Sequence, residues 1–363
     1  MPPLNTIIQG DVLEVLKSWP DEFVDCVVTS PPYWGLRDYG TGKWSGGDGK
    51  CDHQIPRNKG RVTPGDKQST NTGSHPDTWK ECGKCGATKE DLQLGLEKTP
   101  EEYVAKMVEV CRELKRVLKK DGTFWLNLGD TYSAARWSSG EGQPMNKNRD
   151  IHRAGKETEE RKSGLPPKNL VGIPWRVALA LQADGWVLRQ DIIWSKPNPM
   201  PESVTDRCTK AHEYIFLLAK SQSYYFNAEA IKEKGVMYSS GSTQRDTRET
   251  HGLGGGNSGI NEAKLRMGRE LRENGFVMRN KRSVWTISTK PYKGAHFATF
   301  PPDLITPMVK AGCPEGGIVL DPFIGSGTTA YVARSLGRNY LGIDLNPDYI
   351  KLAEKRLAQQ VLI

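Results

Sequence analysis

One stretch near the end of the chain narrows the fold more than any other. Gly317-Ile318-Val319-Leu320 is an apolar strand ending in Asp321, Gly325-Ser326-Gly327 turns the chain into a helix, and Tyr340-Leu341-Gly342-Ile343 is a second apolar strand ending in Asp344. Strand, glycine turn, helix and strand in that order form a unit of parallel strands joined by a covering helix. The alternation recurs along the chain. Thr6-Ile7-Ile8, Phe23 to Val28, Phe124 to Leu128, residues 186–194 and Glu213 to Ala219 read as further strands. Helical spacing predicts helices from Val12 onward and over 175–183, 302–311, 328–336 and 347–360. Another starts at Thr99, a good N-cap, with Pro100 in the first helical position and Glu102 completing a capping box. Its stripe is Val104, Met107, Val108, Cys111, Leu114 and Leu118, and residues 119–122 close it. The fold class is therefore α/β, a mostly parallel central sheet with helices on both faces.

Open sheets of this kind bind ligands beyond the C-terminal ends of their strands. The glycine turn lies at such an end, where its backbone can approach a ligand and the helix start offers N–H donors. Asp344, 23 residues after Asp321, falls where ribose hydroxyls sit in nucleotide-binding α/β folds. A second motif, Thr29-Ser30-Pro31-Pro32-Tyr33-Trp34, follows the strand 23–28. It puts a small hydroxyl, carbonyls without neighbouring N–H donors and an aromatic face on one tight turn, stiffened by Pro31 and Pro32. An exocyclic amine is a poor nucleophile because its lone pair is delocalised into its ring. The Ser30 hydroxyl and the Pro31 carbonyl can draw its hydrogens out of the ring plane while Tyr33 stacks on the base. The two motifs together describe a site for a planar amino-bearing base beside a nucleotide-like cofactor.

Blander readings stand beside this one. Ser-Pro-Pro-Tyr can be only a rigid turn, Asp11 can be only a helix N-cap, and Asp321 and Asp344 can be structural. Gly325-x-Gly327-x-x-Ala330 also meets the dinucleotide spacing, so spacing alone does not exclude a dehydrogenase. The Asp321-Pro322-Phe323 opening and the second motif favour a nucleotide-like cofactor other than a dinucleotide.

A net charge of +8 suits a polyanionic partner without proving one. No apolar run approaches the ~20 residues that span a bilayer, and the first residues lack a signal-peptide pattern, so the expected compartment is the cytoplasm. Seven cysteines argue against a complete disulfide framework. Residues 35–98 read as a polar insertion, in which Cys51-x-His53 and Cys82-x-x-Cys85 supply four ligands suited to a closed tetrahedral zinc, with His75 a competing ligand. Chance cysteines in a polar loop are the alternative. Cys26, Cys111, Cys208 and Cys313 are expected to be packed. Stretch 133–168 reads as a mobile polar loop, and 231–275 as a flexible Gly-, Ser-, Asn- and Arg-rich segment. Residues 276–293 carry Arg279, Lys281, Arg282, Lys290 and Lys293 among Phe276, Trp285 and Tyr292, with no acid. This basic and aromatic stretch is the candidate DNA-contacting region, a solvated loop being the alternative.

These motifs resemble those of the β-class DNA amino-methyltransferases over nearly the whole chain. The likeness rests on Gly10-Asp11, Ser30 to Tyr33, Trp194 to Pro199, His212-Glu213-Tyr214, His296 to Pro301 and Asp321 to Thr329, in that order. It implies a Rossmann-like S-adenosylmethionine-dependent methyltransferase fold in circularly permuted order. The catalytic part would comprise 1–34 and 99–230, the target-recognition region 231–293, and the cofactor part 294–363. The resemblance implies Ser30, Pro31, Pro32 and Tyr33 as catalytic. Asp11 would approach the cofactor adenine, and Phe323, Gly325 and Gly327, with Asp321 and Ser326, would line its amino acid and ribose. Asp344 would bind the ribose hydroxyls, and Thr299 and Phe300 would close the methionine end. The insertion looks like the zinc-ribbon-like insertions of some members. In the family, Ser at position 30 more often accompanies cytosine N4 methylation, and Asp accompanies adenine N6. The implied partner is double-stranded DNA, with a homodimer and a cognate restriction endonuclease compatible with the family. Rival readings are an RNA or protein-glutamine methyltransferase and a non-catalytic zinc- and DNA-binding protein.

Overall fold

The computed structural model describes residues 1–35, 42–53, 82–91, 93–133, 163–235, 277–289 and 300–360. In chain order the elements are β1 (Thr6–Gln9), α1 (Val12–Lys17), β2 (Val24–Thr29), β3 (Lys43–Ser45), β4 (Thr88–Glu90), α2 (Pro100–Val117) and β5 (Leu118–Leu128). Then come α3 (Ile173–Ala183), β6 (Val187–Ser195), β7 (His212–Ala219), β8 (Glu233–Lys234), β9 (Met278–Arg279) and β10 (Val284–Thr286). The last are α4 (Pro302–Gly312), β11 (Ile318–Asp321), α5 (Thr328–Ser335), β12 (Asn339–Asp344) and α6 (Pro347–Gln360). Among the described residues no helix is long and apolar enough to cross a membrane.

One eight-stranded sheet runs β1-β12-β11-β2-β5-β7-β6-β10. Strands β1 through β5 in that order are parallel, and β7 runs antiparallel to both β5 and β6. Residues of β2 are buried at every position because helices cover both faces. Successive side chains take opposite faces. Val27 and Phe124 join one core with Leu16, Met107, Leu114 and Leu181, whereas Val28 and Trp125 join the other with Leu304, Met308 and Ala333. Helices α1, α2 and α3 thus cover one face, and α4, α5 and α6 the other.

Several local expectations change. Lys119 to Gly122 do not close α2; β5 begins at once at Leu118, and its pairing with β2 shifts register between Val24 and Cys26. Gly122 makes that irregularity feasible, since a Cβ there would lie 2.6 Å from Leu118 Cδ1. The Thr99 hydroxyl accepts from the Glu102 N–H as expected, but the Glu102 carboxylate reaches back to the Lys98 N–H. Cys26, Cys111 and Cys313 are buried, but Cys208 is exposed.

The insertion folds partly as a ribbon, β3 pairing antiparallel with β4. The stretch expected as a loop at 133–168 is closed at its two ends, where Ser163 Oγ donates to Ser133 Oγ and Tyr132 bridges Leu170; residues 134–162 lie outside the described residues, as do 236–276 and 290–299. Trp285, expected in a target-contacting stretch, is buried, and β10 extends the main sheet beside β6. An apolar Val-Trp pair beside an unpaired strand edge explains why that piece joins the sheet.

Candidate active site

The C-terminal ends of β1, β12, β11, β2 and β5 share one edge of the sheet, and both motifs lie on it. Asp11 follows β1 and caps α1, its Oδ1 accepting from the N–H groups of Leu13 and Glu14 at 2.9 and 3.2 Å. The neighbouring Gly10 N–H reaches the Asp344 carbonyl at 3.1 Å. Asp344 Oδ2 in turn accepts from the Gly325 N–H at 2.9 Å, and its Oδ1 from Asn346 at 2.8 Å. Burial raises the Asp344 carboxyl above its ordinary range.

Asp321 faces inward. It is fully buried, and both oxygens are occupied: Thr29 Oγ1 and the Phe323 N–H donate to Oδ1 at 2.6 and 3.1 Å, and Thr329 Oγ1 donates to Oδ2 at 2.6 Å. Burial pushes its pKa up to about 6 against the pull of those bonds. Its geometry is that of a tie between the end of β2, one residue before Ser30, and the glycine turn.

The two glycines of the turn differ. Gly327, at φ 78°, packs against α6, where a Cβ would meet Ala353 Cβ at 2.7 Å. Gly325, at φ 50°, has only the Phe323 carbonyl within reach of such an atom, at 4.0 Å, so its outer side is open. Ser326 Oγ is buried and has no hydrogen-bond partner among the described residues. An open backbone and an orphaned hydroxyl at a strand end suit a polar cofactor. Phe323 and Phe300 are partly buried nearby in the two cores; Thr299 lies outside the described residues.

The Ser30 to Tyr33 turn is held by a polar network that the sequence only half reveals. Tyr33 Oη donates to Glu213 Oε2 at 2.8 Å and lies 3.0 Å from Ser30 Oγ. Asn127 Nδ2 reaches Tyr33 Oη, Glu213 Oε2 and Ser30 Oγ at 2.8, 3.0 and 3.3 Å. Lys196 pairs with the other Glu213 oxygen and lies 4.2 Å over the Trp194 ring. Burial, and then the Glu213 charge, push the Tyr33 phenol well above its ordinary range, so it stays neutral. Because its one proton goes to Glu213, the Ser30 hydroxyl must donate to Tyr33 Oη. That leaves the Ser30 oxygen as an acceptor, with Asn127 occupying one lone pair at most.

Packing holds the turn's backbone. Tyr103 Oη donates to the Pro32 carbonyl at 3.0 Å, and Trp34 Nε1 to the Glu97 carbonyl at 3.0 Å. Gly95, at φ 94°, comes so near that a Cβ would lie 2.8 Å from the Tyr33 carbonyl oxygen. Gly129 gives way to the Tyr33 ring itself, with 2.6 Å between Cε2 and a notional Cβ. Asn127, Gly129 and Gly95 escaped the sequence reading. The signal for Asn127 was a lone amide in the apolar run Phe124 to Leu128. Glu213 and Lys196 stood in quoted motifs without a role.

The other expected residues fall into two groups. Cys51, His53, Cys82 and Cys85 converge, their ligand atoms all within 4.8 Å of one another. His75 lies outside the described residues. Arg279 and Arg282 both pair with Glu233, at 3.1 and 2.6 Å, and Lys281 lies 5.0 Å over the Trp285 ring. The acid that the stretch 276–293 lacks is supplied by β8. Lys290 and Lys293 lie outside the described residues.

Sheet order, the glycine turn and the Ser-Pro-Pro-Tyr turn beside it define a Rossmann-like methyltransferase fold. The DNA methylase family model matches residues 24–355. The chain is 39% identical over 352 residues to the Type II methyltransferase M.Cfr9I of Citrobacter freundii, covering 97% of this chain and 87% of that protein. It is 37% identical over 354 residues to M.SmaI of Serratia marcescens, covering 98% and 91%. Among solved structures it is similar to the cytosine-N4-specific PvuII DNA methyltransferase, with a TM-score of 0.55, 16% identity and coverage of 98% and 86%. The chain belongs to the DNA methylase family, the N6 and N4 amino-methyltransferases.

Proposed function

We propose that the chain methylates the exocyclic amino nitrogen of a flipped-out base in double-stranded DNA, cytosine N4 in preference to adenine N6. The proton order Ser30 to Tyr33 to Glu213 carries the reading, because it leaves the Ser30 oxygen as a fixed acceptor for an amino hydrogen. When bound, S-adenosylmethionine supplies a methyl group already activated on a sulfonium. The open side of Gly325 and the unpartnered Ser326 hydroxyl fit such a ligand. Asp11, Asp344, Phe323 and Phe300 would complete the pocket, while Asp321 holds the turn in place.

The protein's part in the chemistry is alignment and proton acceptance. Ser30 Oγ and the Pro31 carbonyl take the two amino hydrogens and localise the nitrogen lone pair. The proton released on methylation passes to Ser30 Oγ as Ser30 gives its own to Tyr33 Oη and Tyr33 gives its own to Glu213. The Tyr33 ring supplies a face for the base. A base in a duplex reaches this turn only by swinging out, at a cost of a few kcal/mol. Phosphate contacts offset that cost, and the edge bearing Arg279, Lys281 and Arg282 is the candidate surface. The preference for cytosine rests on Ser30, since Ser at this position in the family more often accompanies N4 products. The Type II relatives support a fixed duplex site within a restriction–modification system.

The test is mass spectrometry of nucleosides from plasmid DNA of methylation-free cells expressing the protein. N4-methylcytosine is the expected product. N6-methyladenine would keep the DNA reaction and overturn the choice of base. Neither product, from a folded soluble protein, would overturn the DNA reading.

A further inference from the structure

We propose that Cys51, His53, Cys82 and Cys85 bind one zinc ion, and that this ion clamps the ribbon whose continuation braces the reacting turn. The geometry is that of a single tetrahedral ion. Metal–sulfur bonds of ~2.3 Å and metal–nitrogen bonds of ~2.0–2.1 Å place ligand atoms about 3.8 Å apart for two sulfurs and about 3.6 Å apart for sulfur and nitrogen. Cys51 Sγ and Cys82 Sγ are 3.8 Å apart, and Cys85 Sγ and His53 Nδ1 are 3.5 Å apart. A disulfide would need ~2.05 Å, and four ligand atoms all within 4.8 Å of one another match the four positions of one tetrahedral ion. Three thiolates and an imidazole select a soft or borderline ion such as zinc over magnesium or calcium.

The surrounding chain is shaped to this cluster. Gly86, at φ 69°, turns the Cys82-to-Cys85 knuckle, and the Cys82 N–H donates to the Ala87 carbonyl at 2.7 Å. Gly47 could carry no side chain, since its Cβ would lie 2.8 Å from Cys85 Sγ. His53 adopts φ 43° to reach the cluster, and its ring stacks on Trp44 with centroids 5.0 Å apart. A stacked ring fixes the orientation of the ligating nitrogen. Within residues 42–53 and 82–90, the buried side chains among those described are Cys82 and Ala87. Such a ribbon has almost no core of its own, so a metal would supply the missing cohesion.

The clamp reaches the site along the chain. From β4 the backbone runs through the buried residues Gln93 and Leu94 to Gly95, whose carbonyl accepts from the Gly35 N–H at 3.0 Å. Glu97, with Oε2 on the Gly95 N–H at 2.8 Å and Oε1 3.2 Å from Lys106 Nζ, anchors that segment to α2. Metal and reacting turn are therefore separated by only a short run of chain, the eleven residues Cys85 to Gly95. The second half of the proposal rests on the methyltransferase reading; the first half does not.

The full-length protein, purified without chelators, is expected to hold one zinc per chain by elemental mass spectrometry. Cobalt substitution should give thiolate-to-cobalt charge transfer and tetrahedral d–d bands, lost in Cys82→Ser and retained in Lys84→Ala. Absence of both the zinc and the cobalt spectrum, or iron in its place, would overturn the site. Should Cys82→Ser fail to fold, the wild-type cobalt spectrum still decides. For the clamp, stripping zinc from the wild type is expected to leave S-adenosylmethionine binding by calorimetry unchanged and to lower methyl transfer by about tenfold or more, restored by added zinc. Full transfer by the stripped protein would overturn the clamp. Zinc without any transfer, before stripping, would instead indict the methyltransferase reading.

Discussion

Replacing Gly129 by alanine should cost on the order of 100-fold in methyl transfer while sparing cofactor binding. The added Cβ would lie 2.6 Å from Tyr33 Cε2 and 2.9 Å from Cδ2. Carbon atoms in contact settle at ~3.5–4.0 Å, so the ring must retreat by roughly 1 Å. It has no slack to absorb this, because its hydroxyl holds both Glu213 and Asn127 at 2.8 Å and its carbonyl lies against Gly95. A retreat of that size breaks the hydroxyl bonds and tilts the face offered to the base. Displacement by ~1 Å near a reacting centre costs on the order of 10²-fold in rate, about 2.7 kcal/mol in the barrier. Overpacking should cost a further ~1–3 kcal/mol in stability. Gly129 follows β5 whereas Gly325 lies in the turn after β11, so affinity for S-adenosylmethionine should hold. The assay is single-turnover transfer of labelled methyl to plasmid DNA, with calorimetry for the cofactor and circular dichroism for folding. A folded Gly129→Ala protein that binds the cofactor normally and transfers within about threefold of the wild-type rate would refute the placement of Tyr33.

Other perturbations separate the parts of the site. Glu213→Gln removes the charged acceptor of the Tyr33 proton and should slow single-turnover transfer on the order of 10²-fold with cofactor affinity intact; an unchanged rate would remove Glu213 from the proton path. Gly325→Ala should weaken calorimetric cofactor affinity more than it lowers the melting temperature, whereas Gly327→Ala, striking Ala353, should cost ~1–3 kcal/mol of stability first; the reverse pattern would exchange their roles. The Asp321 pKa of about 6 lies above the ordinary 3.8, so the folded state holds the proton more tightly than the unfolded state. Its contribution to stability is then present below about pH 4 and is lost as pH rises through about 6, a change on the order of 3 kcal/mol. Asp321→Asn should flatten that part of the stability–pH curve in denaturant titrations, and an unaltered slope would contradict the assignment.

The parallel sheet was legible because β2 and β11 are mostly apolar and the residues after them are turn formers. Both motifs fell at strand ends for the same reason. What stayed hidden depends on contacts between distant segments. Nothing local to Asp321 says that its oxygens point at Thr29 and Thr329 rather than outward; its burial decides that. Asp11 likewise has the N-cap geometry its sequence also allowed. Gly95 lies in a segment that reads as polar insertion, yet its lack of a side chain is what lets the loop lie on the Tyr33 backbone. The arginines at 279 and 282 looked unopposed because Glu233 stands 46 residues before the first of them. Trp285 read as part of a DNA-contacting stretch because a strand of three residues on a sheet edge leaves almost no periodicity to detect.

The permuted motif order follows from the same topology. Strand β1 pairs in parallel with β12, so elements from the two ends of the motif order lie side by side in one continuous sheet. The two motifs are far apart in sequence, but β2 and β11 are neighbours, and one hydrogen bond, Thr29 Oγ1 to Asp321 Oδ1 at 2.6 Å, links their ends. Methyl transfer needs a base amine and a cofactor held in line, which is a demand on adjacent strand ends and not on the order in which the chain visits them. Moving the termini to another loop would leave that bond, the Asp344 contact to Gly325 and the Glu213 network untouched. Long stretches can therefore enter between the motifs without disturbing the chemistry, provided their ends return to the sheet. The β3–β4 ribbon meets that condition at its far end, where the chain returns through Gly95 directly onto the backbone of the Tyr33 turn.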